Sequence, residues 1–200
     1  MAIGNMIRVS DTERVVNYYL TVQNILNGSR RAKIPNIKEY FSQSKFRSQS
    51  NQALMVKTDV IRGNNLKMPV GAIGQDTTFF QELLIHSEWI SAINENIHIY
   101  YAGVTSSTVN NITLKTFKKY MLMEEYRIEY LKKHNLLDEY IAVKLNQYVE
   151  DWYFKKLELL KGDDIQEAKK ILYAILMLYI PHVKLNEFSP NIRQFINEHN

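Results

Sequence analysis

At Thr113 the spacing of apolar residues changes, and with it the kind of structure the chain can build. Downstream, Leu114, Phe117, Met121, Ile128 and Leu131 recur at threes, fours and a seven, while Lys118, Lys119, Lys132 and Lys133 can face water. That is the period of an amphipathic helix. After His134-Asn135, a second helix over about residues 137–160 carries Ile141, Leu145, Tyr148, Trp152 and Leu159. Gly162 and Asp163 break the chain. A third helix begins near Asp164 with Ala168, Ile171, Leu172, Ile175 and Leu178 inward, and Pro181, which lacks a backbone donor, limits it. A short helix from Pro190 to Glu198 closes the sequence.

Upstream the runs are shorter, branched or aromatic, and separated by turn residues. Ala2 to Val9 has strand character, whereas Asp11 to Asn27 follows neither period cleanly. Asn27-Gly28-Ser29 and Pro35 mark a loop, and the serine-rich stretch Ser42 to Gln52 reads as polar surface. Gly63-Asn64-Asn65 ends a short element, and Gly71 and Gly74 flank a turn that a side chain would obstruct. Asp76 then suits the N-cap of a helix whose apolar side is Phe79, Phe80, Leu83 and Leu84 and which stops near Ser87. Ile90 to Ile93 and Ile97 to Tyr101 form two strands, or one strand broken at Asn94-Glu95-Asn96. The expected organisation is therefore α/β over residues 1–112, followed by a mainly helical extension over residues 113–200.

Composition removes several chemistries. The 200 residues contain no cysteine, which excludes disulfides, thiolate nucleophiles and thiolate zinc sites. A formal net charge of +4 with no compact basic stripe points away from nucleic acid, despite thirteen tyrosines. His86 and His98 have no partner at a metal-ligand spacing, so the chain is expected to hold no metal or other cofactor of its own. The most apolar segment, Ile171 to Ile180, is ten residues long and suits a buried helix rather than a span. The expectation is a cytoplasmic protein, with peripheral contact at the inner membrane face left open.

The most informative stretch is Gly74-Gln75-Asp76-Thr77-Thr78-Phe79-Phe80, entered from Pro69-Val70-Gly71 and followed by Ile90 to Glu95 and Ile99-Tyr100-Tyr101. Over roughly Leu54 to Asn110, and along the Ile3 to Val9 strand, the chain resembles the acceptor-side half of family 2 glycosyltransferases. Val56-Lys57-Thr58 and Leu66 to Pro69 look like the runs that lead into the acceptor loop. Asp76 falls where that family's catalytic base sits, and Gln75 stands where Glu is common, which removes one negative charge beside it. Ile97 to Tyr101 looks like the strand ending in the aromatic cluster, and Ser106-Ser107 like the small polar pair after it.

The resemblance implies a partial nucleotide-diphospho-sugar transferase fold in which Asp76 is catalytic and Gln75, Tyr100, Tyr101, Ser106 and Ser107 touch substrate. It implies an inverting transfer from a nucleotide-sugar donor to a hydroxyl on a glycan, a lipid-linked acceptor or a protein, as in cell-envelope polysaccharide synthesis. It also implies an upstream nucleotide-binding half with an Asp-any-Asp element and a Mn or Mg ion. This sequence contains no such element; Asp163-Asp164 is an adjacent pair in a turn. The expectation is thus an inactive fragment of a longer transferase. The other reading is a non-enzymatic helical protein-interaction module, built on the bundle from Leu114 to Leu178.

Overall fold

Ile3, Gly4, Asn5 and Met6 of Ala2–Val9 are buried in succession without alternation, as in a strand covered on both faces. In the computed structural model, which describes residues 1–34, 36–48, 51–102 and 111–200, this strand (β1) lies inside a curled five-stranded sheet. One edge pairs antiparallel with β2 (Glu13–Val16) and with the two-residue β4 (Leu54–Met55). The other edge pairs in parallel with β5 (Trp89–Tyr101), whose first residues also pair antiparallel with β3 (Arg31–Lys33). Between β2 and β3 runs α1 (Tyr18–Ile25), capped by Asn17, whose Oδ1 accepts from the Leu20 amide at 2.9 Å.

β5 is a single strand of 13 residues, and the Asn94-Glu95-Asn96 signal appears in it as a bulge rather than a break. Ile3 pairs with Ala92, Asn5 with Asn96 and Met6 with His98, so β5 accommodates extra residues opposite β1. Buried Asn5 holds this irregular region: its Oδ1 accepts from the Tyr19 amide at 2.9 Å, and its Nδ2 donates to Asn94 Oδ1 at 3.3 Å.

The serine-rich stretch is not simply surface. Helix α2 (Ile37–Ser44) runs into it and ends at Lys45, in a left-handed conformation with φ 50°. Phe46 then turns inward, is buried, and stacks on Phe41 with ring centroids 4.9 Å apart. Burial of two aromatic rings outweighs the polar composition around them. Helix α3 (Thr58–Gly63) and helix α4 (Gln75–Ile85) complete this part of the chain.

The chain divides into two compact units. One is Met1–Met68 with Gln75–Ser107; the other is Pro69–Gly74 with Thr108–Asn200. The second is helical among its described residues. It comprises α5 (Leu114–Lys133), a composite helix α6 over residues 137–157, α7 (Asp164–Tyr179) and α8 (Pro190–His199), with short 3₁₀ turns before α8. α5 packs along α7. Ser189 caps α8, and its hydroxyl donates to Glu150 Oε1 at 2.6 Å.

Two stretches of α6, Ile141–Leu145 and Val149–Phe154, are π-helical. The buried residues Leu137, Ile141, Leu145, Val149 and Tyr153 explain why, because they recur strictly every fourth position. At about 3.6 residues per turn, such a stripe drifts by about 40° per step off a straight α-helix. Wider π turns offset that drift and keep all five side chains inward. No helix among the described residues is long and apolar enough to cross a membrane.

Candidate functional site

Gly71 and Gly74 have φ of 82° and 84°, a region costly to residues with a Cβ, and they turn the chain into α4. The helix begins at Gln75, so Asp76 is its second residue and not its N-cap, a shift that follows from Gly74 making the turn. Asp76 is exposed, and Gln75 is half-buried. The next residues anchor the helix: Thr78 and Phe80 are buried, and the Thr78 hydroxyl donates to the Gln75 carbonyl at 3.2 Å.

A neighbouring segment fixes the first turn from outside. Ser48 Oγ donates to the Thr77 carbonyl at 3.2 Å, Asn51 Nδ2 to the Asp76 carbonyl at 3.3 Å, and Gln81 Nε2 to the Phe46 carbonyl at 3.2 Å. The Asn51 bond takes the backbone carbonyl of Asp76, whose side chain is exposed. The macrodipole favours a negative group there by about 0.3–1 kcal/mol. The Asp76 side chain is thus exposed on a helical turn whose backbone is held by a neighbouring segment.

The other sequence-derived residues are dispersed. Tyr100 and Tyr101 lie at the end of β5, opposite Arg8 and Val9 of β1, and alternation puts them on opposite sheet faces. Tyr101 is 67% exposed, whereas Tyr100 is half-buried. Among the described residues no hydrogen bond or ring contact joins either to Asp76. Ser106 and Ser107 lie outside the described residues. The divalent ion that the resemblance implies for a complete enzyme finds no ligand set here: among the described residues, no three His, Cys, Asp or Glu side chains converge.

Sequence reasoning missed a second constellation, inside the helical unit. Glu124 and Arg127 of α5 are both buried and ion-paired through Oε1 and Nη1. Tyr153 also donates to Glu124 Oε1, and Tyr179 donates to Oε2 at 2.5 Å. Arg127 Nη1 donates to the Tyr140 hydroxyl at 3.1 Å, and its guanidinium carbon lies 4.6 Å from the Tyr148 ring centroid.

Burial pushes the phenols of Tyr140, Tyr148, Tyr153 and Tyr179 upward, with the Glu124 carboxylate adding to the shift. For Arg127, burial works against the charge, but Glu124 and the phenols outweigh it, so its pKa lies well above the usual value. Both carboxylate oxygens are taken by donors and the whole group is buried, so it offers no face to a substrate. Its chemistry is cohesive: it pins α5, α6 and α7 to one another through charge-assisted bonds.

No protein-family model, curated protein or solved structure matches this chain.

Proposed function

We propose that this chain is the acceptor-side portion of an inverting glycosyltransferase of family 2, with Asp76 as the general base. The observation that carries the reading is the Asp76 carboxylate, exposed on the first turn of α4 behind the left-handed Gly71 and Gly74 while its backbone is held by Asn51. Asp76 takes the proton from an acceptor hydroxyl as its oxygen attacks the anomeric carbon. The bond from that carbon to the nucleotide diphosphate breaks on the opposite face, and the diphosphate leaves with the bonding electrons. Gln75 leaves Asp76 as the sole carboxylate of the pair, so the role rests on one residue.

In this reading the fold is part of a nucleotide-diphospho-sugar transferase, and donor recognition comes from a nucleotide-binding half outside these 200 residues. Tyr101, exposed at the end of β5, provides a flat apolar surface suited to a sugar ring. The acceptor belongs to the hydroxyl-bearing polymers or lipid-linked glycans of a cell envelope, reached from the cytoplasmic side. Initial rates with nucleotide-sugar donors and added Mn or Mg test the division of labour. The 200-residue chain alone is expected to transfer no sugar, and a polypeptide that joins it to its donor-binding half is expected to turn over. Transfer by the chain alone, or none by the complete polypeptide, would contradict the proposal.

A further inference from the structure

The sheet unit carries a cleft at the end of α4 remote from Asp76. Asp76 and the turn at Ser87 to Trp89 are separated by almost the whole of Gln75–Ile85, about 15 Å at the rise of an α-helix. The cleft has a volume of about 590 Å³, within the usual range for small-molecule sites. Met55, Val56 and Val60 give it apolar walls, and Trp89, Arg31, Lys57 and the carboxylate-bearing Glu88, which is ion-paired to Lys33, also line it.

Its charge arrangement is unusual. Lys33 stands directly opposite Trp89 across the β3–β5 pair, with Nζ 5.6 Å from the indole centroid, and is neutralised by Glu88 at 2.8 Å. Arg31, two residues earlier on the same face of β3, lies closer over that ring, with its guanidinium carbon 4.8 Å from the centroid. Among the described residues, neither Arg31 nor Lys57 is paired with a carboxylate. An aromatic ring therefore positions Arg31 without cancelling its charge, and the planar guanidinium can still donate to an anion and present its outer face for stacking. Trp89 itself remains 38% exposed, and Met55 60%, so both are within reach of a molecule that enters the cleft.

We propose that this cleft binds an organic phosphate of about mononucleotide size with a planar body. The phosphate lies between Arg31 and Lys57, and the planar group stacks on the Arg31–Trp89 pair against the Met55–Val60 wall. The site is separate from the Asp76 carboxylate and does not depend on its role.

The chain has two tryptophans, so Trp152→Phe leaves Trp89 as the only indole reporter. Adenosine 5′-monophosphate, titrated into that variant at low salt, is expected to change Trp89 fluorescence saturably and to release heat in calorimetry. Inorganic phosphate alone and adenosine alone are each expected to bind at least tenfold more weakly. Arg31→Gln and Lys57→Gln are each expected to weaken the nucleotide by about tenfold or more, as loss of a charge-assisted bond requires. Both side chains are on the surface, and circular dichroism melting checks that the variants fold. Absence of saturable binding by fluorescence and calorimetry would overturn the proposal. So would unchanged affinity in both folded variants, or inorganic phosphate binding as tightly as the nucleotide.

Discussion

Gly4 shows how much a single missing side chain decides in this sheet. A Cβ built there would lie 2.8 Å from Ile97 Cδ1 and 2.9 Å from Cγ1, closer than real carbon contacts allow. Ile97 belongs to the bulged part of β5, so the glycine lets an irregular strand press its side chain onto β1. Gly4→Ala is expected to destabilise the sheet unit by about 1–3 kcal/mol, and Ile97→Ala in the same chain to recover part of that loss. Chemical denaturation of the two single variants and the double variant measures the coupling; additive losses would show that the contact does not matter. Sequence reading found strand character around Gly4-Asn5, but a clash between positions 93 residues apart leaves no local trace. Asp76 shows a similar limit. Its helix was legible from Phe79, Phe80, Leu83 and Leu84, while its place as second residue and not cap depended on the backbone of Gly74.

Among the elements, α5 and α6 show best what periodicity reveals and conceals. The helical spacing after Thr113 located α5, α6, α7 and α8 to within a few residues, because each has an apolar face to bury. It did not show that α5 also turns Glu124 and Arg127 inward, although Phe117, Tyr120, Glu124, Arg127 and Leu131 follow at three and four. Charged residues ordinarily mark the wet face, and only the phenols of distant helices make their burial tolerable. The π turns of α6 were hidden for a related reason: a stripe at every fourth residue resembles an ordinary helix until its drift is added up. Tyr153 supplies one of the donors on Glu124 from the second of these π segments. Tyr153→Phe keeps the ring, removes that donor, and is expected to cost about 1–3 kcal/mol. Urea denaturation followed by far-ultraviolet circular dichroism measures it, and a loss below about 0.5 kcal/mol would mean that the bond contributes little.

For the molecule as a whole, the buried tyrosines predict how stability responds to alkali. An unfolded tyrosine loses its proton near pH 10, whereas Tyr140, Tyr153 and Tyr179 keep theirs well beyond that in the fold, Tyr148 is also raised, and Tyr120 is pushed up to about 12. Above about pH 10 the unfolded state therefore binds fewer protons than the folded one, and stability falls as pH rises; below it these groups contribute no pH dependence. Melting temperature against pH, with phenolate absorbance followed in parallel, should show a decline that begins near pH 10 and coincides with cooperative ionisation. Gradual ionisation of all thirteen tyrosines without unfolding would contradict it. The broad division into an α/β part and a helical part was legible from the change of period, because each class repeats its own signal many times. Of the proposed site, the sequence offered the residue type at position 76, whereas the bonds that Ser48, Asn51 and Phe46 make to the backbone and side chains of α4 come from distant positions and leave no local trace. For the proposed transferase, the most direct measurement is the sugar-transfer turnover of the polypeptide that joins this chain to its donor-binding half and carries Asp76→Asn. A loss of about 10²–10⁴-fold in kcat, with donor affinity and melting temperature unchanged, is predicted; turnover within twofold of the native enzyme would contradict the assignment of the base.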